Sequence, residues 1–568
     1  MKKVLALVLG VLMVLSAFSG CALTLDTLEF QKRGANPVYF GAEPIGFDPI
    51  KNADIASLRY LTMHHMGLYV VNEKGKVVES LCTGIKWDDE DPNKMIISLA
   101  ESRWTDGSYL NADDFIYAWK RVLDPANESP YAHLFFEVLN AKNYYEGKVS
   151  IDDVGILALD DYTIEVEFEG KGSTVFENML SCAVFYPLRE DTTAAANDWY
   201  TRPAVMIGSG AGYVSAWDKG KTLAVAQSNY FITRYKKYFL SKDEGKDAYQ
   251  IGFSVVANKT EEELADMFVN EQLLFMAEVP QAVYEKVEAT GWTKSVAADA
   301  TATVFFNYSK NKFDAQTRKA LSLALDRNAL ASGSVLAQSA ATAFVPNTIS
   351  DVKTNKSDFR KAGGALISAS ADTAAKQALS GNAPSFTLTV IDNSSWVSLG
   401  EKMAQQWEAN LGAKVTVKAL DYDDFVKAEK NGNYEAILVP FNALFDDAYG
   451  MLERFLSYSG FNTTGYADEA YDKMIADALA CETKKDRVAA MHEAEKYLVE
   501  QMAAIPVVFM KYVYAVNPHL SDISVTASGA VDIEHTHVTM NSIVYTDEIE
   551  AAKREAEKAA KEKEKNSK

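Results

Sequence analysis

Trp104–Pro125 reads WTDGSYLNADDFIYAWKRVLDP. Asn111 is a helix N-cap candidate, because its short side chain can accept from a free backbone N–H of the first turn. Asp113 and Asp114 follow at the positive end of the helix dipole. Phe115, Ile116, Trp119 and Val122 then recur at helical spacing until Asp124-Pro125 stops the helix. Strands flank this helix. Lys94–Leu99 is apolar enough for one, and Tyr162–Glu169 alternates strictly, as a half-buried strand does.

The same alternation of elements extends along the chain. Val38–Phe47 reads as strand and turn, 57–66 as helix and 67–71 as strand, with a hairpin turn at 72–76. Asp314–Leu336 has the pattern of one long amphipathic helix. Gly363–Pro384 is rich in Ala, Ser and Gly and is expected to be partly mobile. Phe386–Ile391, Leu399–Leu411, Lys414–Ala419 and Tyr434–Val439 give strand, helix, strand, strand, a βαβ rhythm. Helix 483–502 and strand 505–510 follow. The fold class is α/β.

The chain has 568 residues, of which 57 are Lys or Arg and 78 Asp or Glu, a net charge of −21. So acidic a chain is a poor partner for nucleic acid, whose phosphates need clustered cations. Met1-Lys2-Lys3, an uncharged run to Phe18, and Ser19-Gly20-Cys21 resemble a secretory signal ending in a lipobox. The run is too short for an ordinary membrane span. Residues 1–20 would be removed and Cys21 lipidated; a plain signal peptide with Cys21 as a bystander is the other reading. Cys82, Cys182 and Cys481 remain, and Cys82 and Cys182 could pair. His535 and His537 share a strand face, a geometry more in keeping with a surface pair than with a metal site. The Gly208–Gly212 cluster leads into a strand, so it reads as a tight turn and not a phosphate cradle. Nucleophile-elbow, zincin and P-loop motifs are absent. No enzyme, cofactor or metal is expected. The last residues, 547–568, balance acids against bases and read as an exposed, fraying helix or disordered tail.

Trp104–Pro125 is close to a hallmark of the extracytoplasmic oligopeptide- and dipeptide-binding proteins of ABC importers, bacterial solute-binding protein family 5, which this sequence resembles from about residue 37 to 545. Collinear matches include Ser129-Pro130-Tyr131-Ala132, Phe47-Asp48-Pro49, Arg318–Arg327 and Trp407–Gly412. The resemblance implies a bilobal periplasmic-binding-protein fold with a hinge and an extra inserted lobe. Residues 21–36 would be a lipid-anchored tether. Residues 37–68, 205–300 and 516–546 would build lobe I, 69–204 the inserted lobe II and 301–515 lobe III, with hinge crossings near 300 and 515. It also implies an oligopeptide ligand, ABC importer permease subunits as partners, and a place on the outer face of the bacterial cytoplasmic membrane, held by the lipid. A non-peptide solute or a peptide-signal sensor on the same fold is the alternative.

Carried over residue by residue, the family's ligand aromatics fall on Tyr131, Tyr422 and Phe441. Its acid for the ligand's α-amino group falls on Leu444, and a base for ligand carboxylates on Leu438, so both charges are missing. Asp446 and Asp447 could replace the acid, or could only decorate a loop.

Overall fold

The computed structural model describes residues 35–52, 54–71, 77–228, 252–310, 313–351, 358–379, 382–533 and 536–538. The signal segment, Cys21, the hairpin turn 72–76, His535 and the charged tail lie outside these residues.

An eleven-stranded sheet carries the molecule. Ten strands follow one path in space: Gly212–Asp218, Thr222–Gln227, Gly252–Val255, Ala35–Tyr39, Phe275–Met276, Ala504–Val516, Thr293–Phe306, Ala436–Asn442, Ser385–Ile391, Lys414–Leu420. Ala337–Ala340 pairs with Ala504–Val516 off this path. The first strand begins at Ala35, inside the stretch expected to be tether. Ala504–Val516 and Thr293–Phe306 run antiparallel through both halves of the sheet. Ala504–Val516 is apolar almost throughout and buried, as a strand covered on both faces must be, and Thr293–Phe306 is buried over most of its second half, Ala298–Phe306.

These two strands do not pair evenly. Ala297 faces Lys511 and Thr301 faces Phe509, so Ala298–Ala300 stand opposite Met510 alone. The extra residues form a bulge, which bends a strand and releases backbone groups. The freed groups bond outward: the Asp299 N–H donates to the Ala527 carbonyl at 2.8 Å, and the Asp299 carbonyl accepts from Ala443 N–H at 2.8 Å. On one side of the bulge the neighbouring strand is Phe275–Met276; on the other it is Ala436–Asn442.

A separate four-stranded antiparallel sheet, ordered Cys82–Trp87, Lys94–Leu99, Thr163–Glu167, Ile156–Asp160, packs near the helix Ala112–Leu123. Asn111 caps that helix in a capping box with Asp114. Phe115, Ala118, Trp119 and Val122 are its buried face. Arg121, on the same helix, grips Asp48 through two bonds of 2.8 and 2.7 Å and so ties this region to the 37–68 stretch.

Two expectations are corrected. The helix expected over Asp314–Leu336 is two helices, Ala315–Leu323 and Arg327–Ala331, followed by the strand Ala337–Ala340. Asp326 caps the second, and the buried Arg327 guanidinium turns inward onto the carbonyls of Pro506 and Ser322 at 2.8 and 3.0 Å. Cys82 and Cys182 are free thiols, both buried, and do not pair. The Gly208–Gly212 stretch is a bend that leads into the strand Gly212–Asp218, where a tight turn was expected, and its Ser209 and Gly210 N–H groups donate to the His64 carbonyl at 3.0 Å. A Cβ on Gly210 would come within 2.1 Å of the Met63 carbonyl, so only glycine allows this approach. Within Gly363–Pro384 a 3-10 helix, Thr373–Ala378, is formed.

Candidate functional site

A cavity of about 1020 Å³ lies between the large sheet and the segments around Ser129 and Cys182. Its wall draws on segments distant in sequence: Asp54 and Ile55, Tyr131, Asp299, Tyr422, Phe441–Asp446 and Val525–Ile533. Of the residues singled out in the sequence, Tyr131, Tyr422, Phe441 and Asp446 come together on this wall, and Asp447 does not.

Tyr422 opens the helix Tyr422–Lys430. Its hydroxyl donates to Asp54 Oδ1 at 3.1 Å and accepts from Ala56 N–H at 3.2 Å, joining two distant parts of the chain across the cavity edge. Tyr131 stands edge-on to Phe461, centroids 4.8 Å apart. Burial raises both phenols well above their ordinary range, so each remains a hydroxyl donor at any physiological pH. Phe441 is only 1% exposed; it is wall and core at once, with edge contacts to Phe305 and Phe455 at 5.4 and 5.8 Å. The Arg454 guanidinium lies over the Phe305 ring at 4.8 Å.

Leu444 lines the cavity as an apolar group. Leu438 is fully buried in the strand Ala436–Asn442 opposite Val304 and forms no part of the wall. Asp446 accepts from the Ser350 N–H and hydroxyl at 2.7 and 2.6 Å. Asp447 turns away into a buried ion pair with Arg487, at 2.7 and 2.8 Å, and accepts from Asn178 Nδ2 at 3.3 Å. It holds the framework behind the wall.

Sequence reasoning passed over several wall residues. Burial pushes the Asp299 carboxyl up to about 7, with the charge of Asp446 adding to the shift. Burial also raises the Asp54 carboxyl. Glu453 accepts from the Ser459 hydroxyl at 2.8 Å and meets His133 Nε2 at 2.6 Å. Asp299 is the one charge in Ala297-Ala298-Asp299-Ala300, which marks it as unusual in a strand but does not say what it faces. Among the described residues no group of three or more His, Cys, Asp or Glu could hold a metal, and no helix is long and apolar enough to cross a membrane.

The arrangement suits enclosure of a solute with both apolar and polar parts: aromatic faces for the first, hydroxyls and carboxylates for the second. The model of the bacterial extracellular solute-binding proteins, family 5, matches residues 76–463. The chain belongs to this family. Among its curated relatives, the dipeptide-binding protein DppE of Bacillus subtilis is 26% identical over 506 residues, covering 87% of this chain and 90% of its own. The periplasmic murein peptide-binding protein MppA of Escherichia coli is 25% identical over 477 residues, covering 82% and 86%. The pheromone receptor PrgZ, solved for its mode of peptide binding, superposes with a TM-score of 0.77 at 22% identity, over 89% of this chain and 99% of its own. The bilobal family 5 fold thus accounts for the large sheet and the separate four-stranded sheet.

Proposed function

We propose that this chain is a lipid-anchored receptor on the outer face of the bacterial cytoplasmic membrane that encloses an oligopeptide and delivers it to an ABC importer. The observation that carries this is the cavity, walled from every expected lobe and presenting Tyr131, Tyr422 and Phe441 together. In this reading residues 37–68, 205–300 and 516–546 move as one lobe, 69–204 as the inserted lobe and 301–515 as the third, about the bulge at Asp299. Lobe closure of this kind is a hinge motion. The bonds from Tyr422 to Asp54 and from His133 to Glu453 then bridge the lips of the closed state. The relatives named for dipeptide, murein peptide and pheromone binding support a peptide ligand. Of the two carboxylates offered in place of Leu444, Asp446 is the one on the wall.

Mass spectrometry of small molecules released from the protein purified from its own cells tests the reading. Peptides are expected; a non-peptide solute alone overturns it and favours the other reading, which the apolar Leu444 makes worth keeping. Phe441→Ala removes apolar contact and should weaken peptide affinity by about 1–3 kcal/mol in titration calorimetry; unchanged affinity across several peptides refutes its placement. Cys21→Ala should move the protein from the membrane fraction to the soluble one, since the described residues contain no membrane-spanning helix.

A further inference from the structure

Polar clasps join the segments 37–204 to the segment 301–515. Tyr422 reaches Asp54 and the Ala56 N–H. Arg487, bound to Asp447, donates from Nε to the Thr174 hydroxyl at 2.9 Å, and Asp447 accepts from Asn178. These two clasps form with the protons that such groups ordinarily carry. The clasp between His133 and Glu453 does not.

His133 lies in the 3-10 turn Ala132–Phe135, and Glu453 opens the 3-10 turn Glu453–Phe455. Their side chains are 1% and 2% exposed. His133 Nδ1 is 3.1 Å from the Pro130 carbonyl, which can only accept, so Nδ1 carries a proton. In a neutral ring Nε2 then offers only a lone pair. Yet Nε2 stands 2.6 Å from Glu453 Oε2, and a carboxylate also can only accept. A hydrogen bond of that length needs a proton between the two atoms, whether it belongs to the ring or to the carboxyl. The joined pair therefore holds one proton more than a neutral histidine and a carboxylate held apart. The Ser459 hydroxyl donates to the same Oε2 at 2.8 Å and fixes it in place.

We infer that His133 and Glu453 form a proton-dependent latch on the cleft: the lobes take one proton from solvent as they close and return it as they open. The inference rests on the hinged reading proposed above and names what regulates its closed state. Apart and in water, an imidazole keeps its second proton only below about pH 6.5, and a carboxyl its proton only below about pH 4.3. Below about pH 6.5 the open lobes already carry the proton on the imidazole, and closure needs no uptake. Above it, closure must draw the proton from solvent, so ligand affinity falls by up to about tenfold for each pH unit. The other ionisable groups facing the pair are Tyr131, Cys182, Tyr449, Tyr458 and Tyr471. Burial raises every one of them, so none changes charge between pH 5.5 and 8. Arg454, next to Glu453 in sequence, is paired with Glu429.

The test is titration calorimetry of the full chain with pentapeptides of alanine, norleucine and phenylalanine, in buffers of different ionisation enthalpy, at pH 5.5 and 7.5. The heat difference between buffers counts the protons taken up for each peptide bound. The peptide's own termini titrate alike with every protein, so the difference between proteins is the quantity to read. At pH 7.5 the wild type should take up about one proton more than His133→Gln, and at pH 5.5 nearly the same number. Between pH 7 and 8 its affinity should fall severalfold more than the variant's. Glu453→Gln should behave as His133→Gln does, because an amide facing either partner makes the hydrogen bond without an added proton. Should one variant not fold, the other carries the comparison. Equal proton uptake by wild type and variant overturns the inference and leaves peptide binding standing. If no pentapeptide binds the wild type, the peptide reading fails, and X-ray scattering from the ligand-free chain decides the latch. A radius of gyration smaller at pH 5.5 than at 7.5 in the wild type, and unchanged in His133→Gln, supports it; no difference between the proteins overturns it.

Discussion

His64 and His65 end the helix Ile55–His64 in a fully buried position. His64 Nδ1 accepts from Val214 N–H at 3.3 Å, and its Nε2 has no hydrogen-bond partner among the described residues. Burial lowers the His64 pKa to about 4; burial, and then the neighbouring His64, lower that of His65 well below its usual value. Well above pH 6.5 both rings are neutral folded or unfolded, so proton uptake makes no difference to stability there. As pH falls from 6.5 toward 4, the unfolded chain takes up protons that the folded chain refuses, and stability declines. For His64 the loss is on the order of 3 kcal/mol across that window. His65→Leu should leave calorimetric stability near its wild-type value at pH 7 and flatten the decline below 6.5; a parallel decline in both proteins refutes this. Raised carboxyls such as Asp299 and Glu495 act in the opposite sense, so the difference between the two proteins is the quantity to read. At this scale the sequence was partly legible. Tyr131, Tyr422 and Phe441 could be placed because aromatic residues stood at matching positions. Asp446 and Asp447 could not be told apart: they are adjacent, and Arg487, forty residues on, claims one of them. Asp299 was missed because its exposure to the cavity depends on a bulge, which is a relation between two strands and not a property of either.

Among the elements, those decided by local chemistry were read well. The helix Ala112–Leu123 starts after its cap and stops at Asp124-Pro125, as its sequence dictates. Lys94–Leu99 has the expected bounds, and Ser385–Ile391 with Lys414–Leu420 forms the parallel pair around the helix Ser394–Leu411. The element read wrongly is instructive. Apolar periodicity continues through Ala324–Asp326, so the stretch looked like one helix. What breaks it is the Arg327 guanidinium, fully buried by carbonyls and the Ser322 hydroxyl at 2.8 Å. Burial lowers the pKa of that guanidinium to about 9. Periodicity treats arginine as a surface residue and has no means of placing one in a core. Whether Cys82 and Cys182 pair was left open for a related reason: sharing a region in sequence says nothing of the short separation a disulfide requires, and both thiols are free.

For the molecule as a whole, sequence order and spatial order differ most at Ala504–Val516. This strand, from near the C-terminal end, lies between Phe275–Met276 and Thr293–Phe306 at the centre of the large sheet. Without it the two halves of that sheet have no common spine. A chain ending at Ala503 should therefore be degraded by a small amount of protease that the full chain survives; equal resistance would show that the halves are stable apart. Pairings between distant segments also form slowly, because loop closure precedes any gain from contact. For a chain exported as proposed, this late arrival governs timing. A polypeptide must stay threadable until it has crossed a membrane pore, and a spine strand supplied last withholds the finished sheet until nearly the whole chain has been made. The strand that unites the cavity's two walls would then also set when secretion gives way to folding.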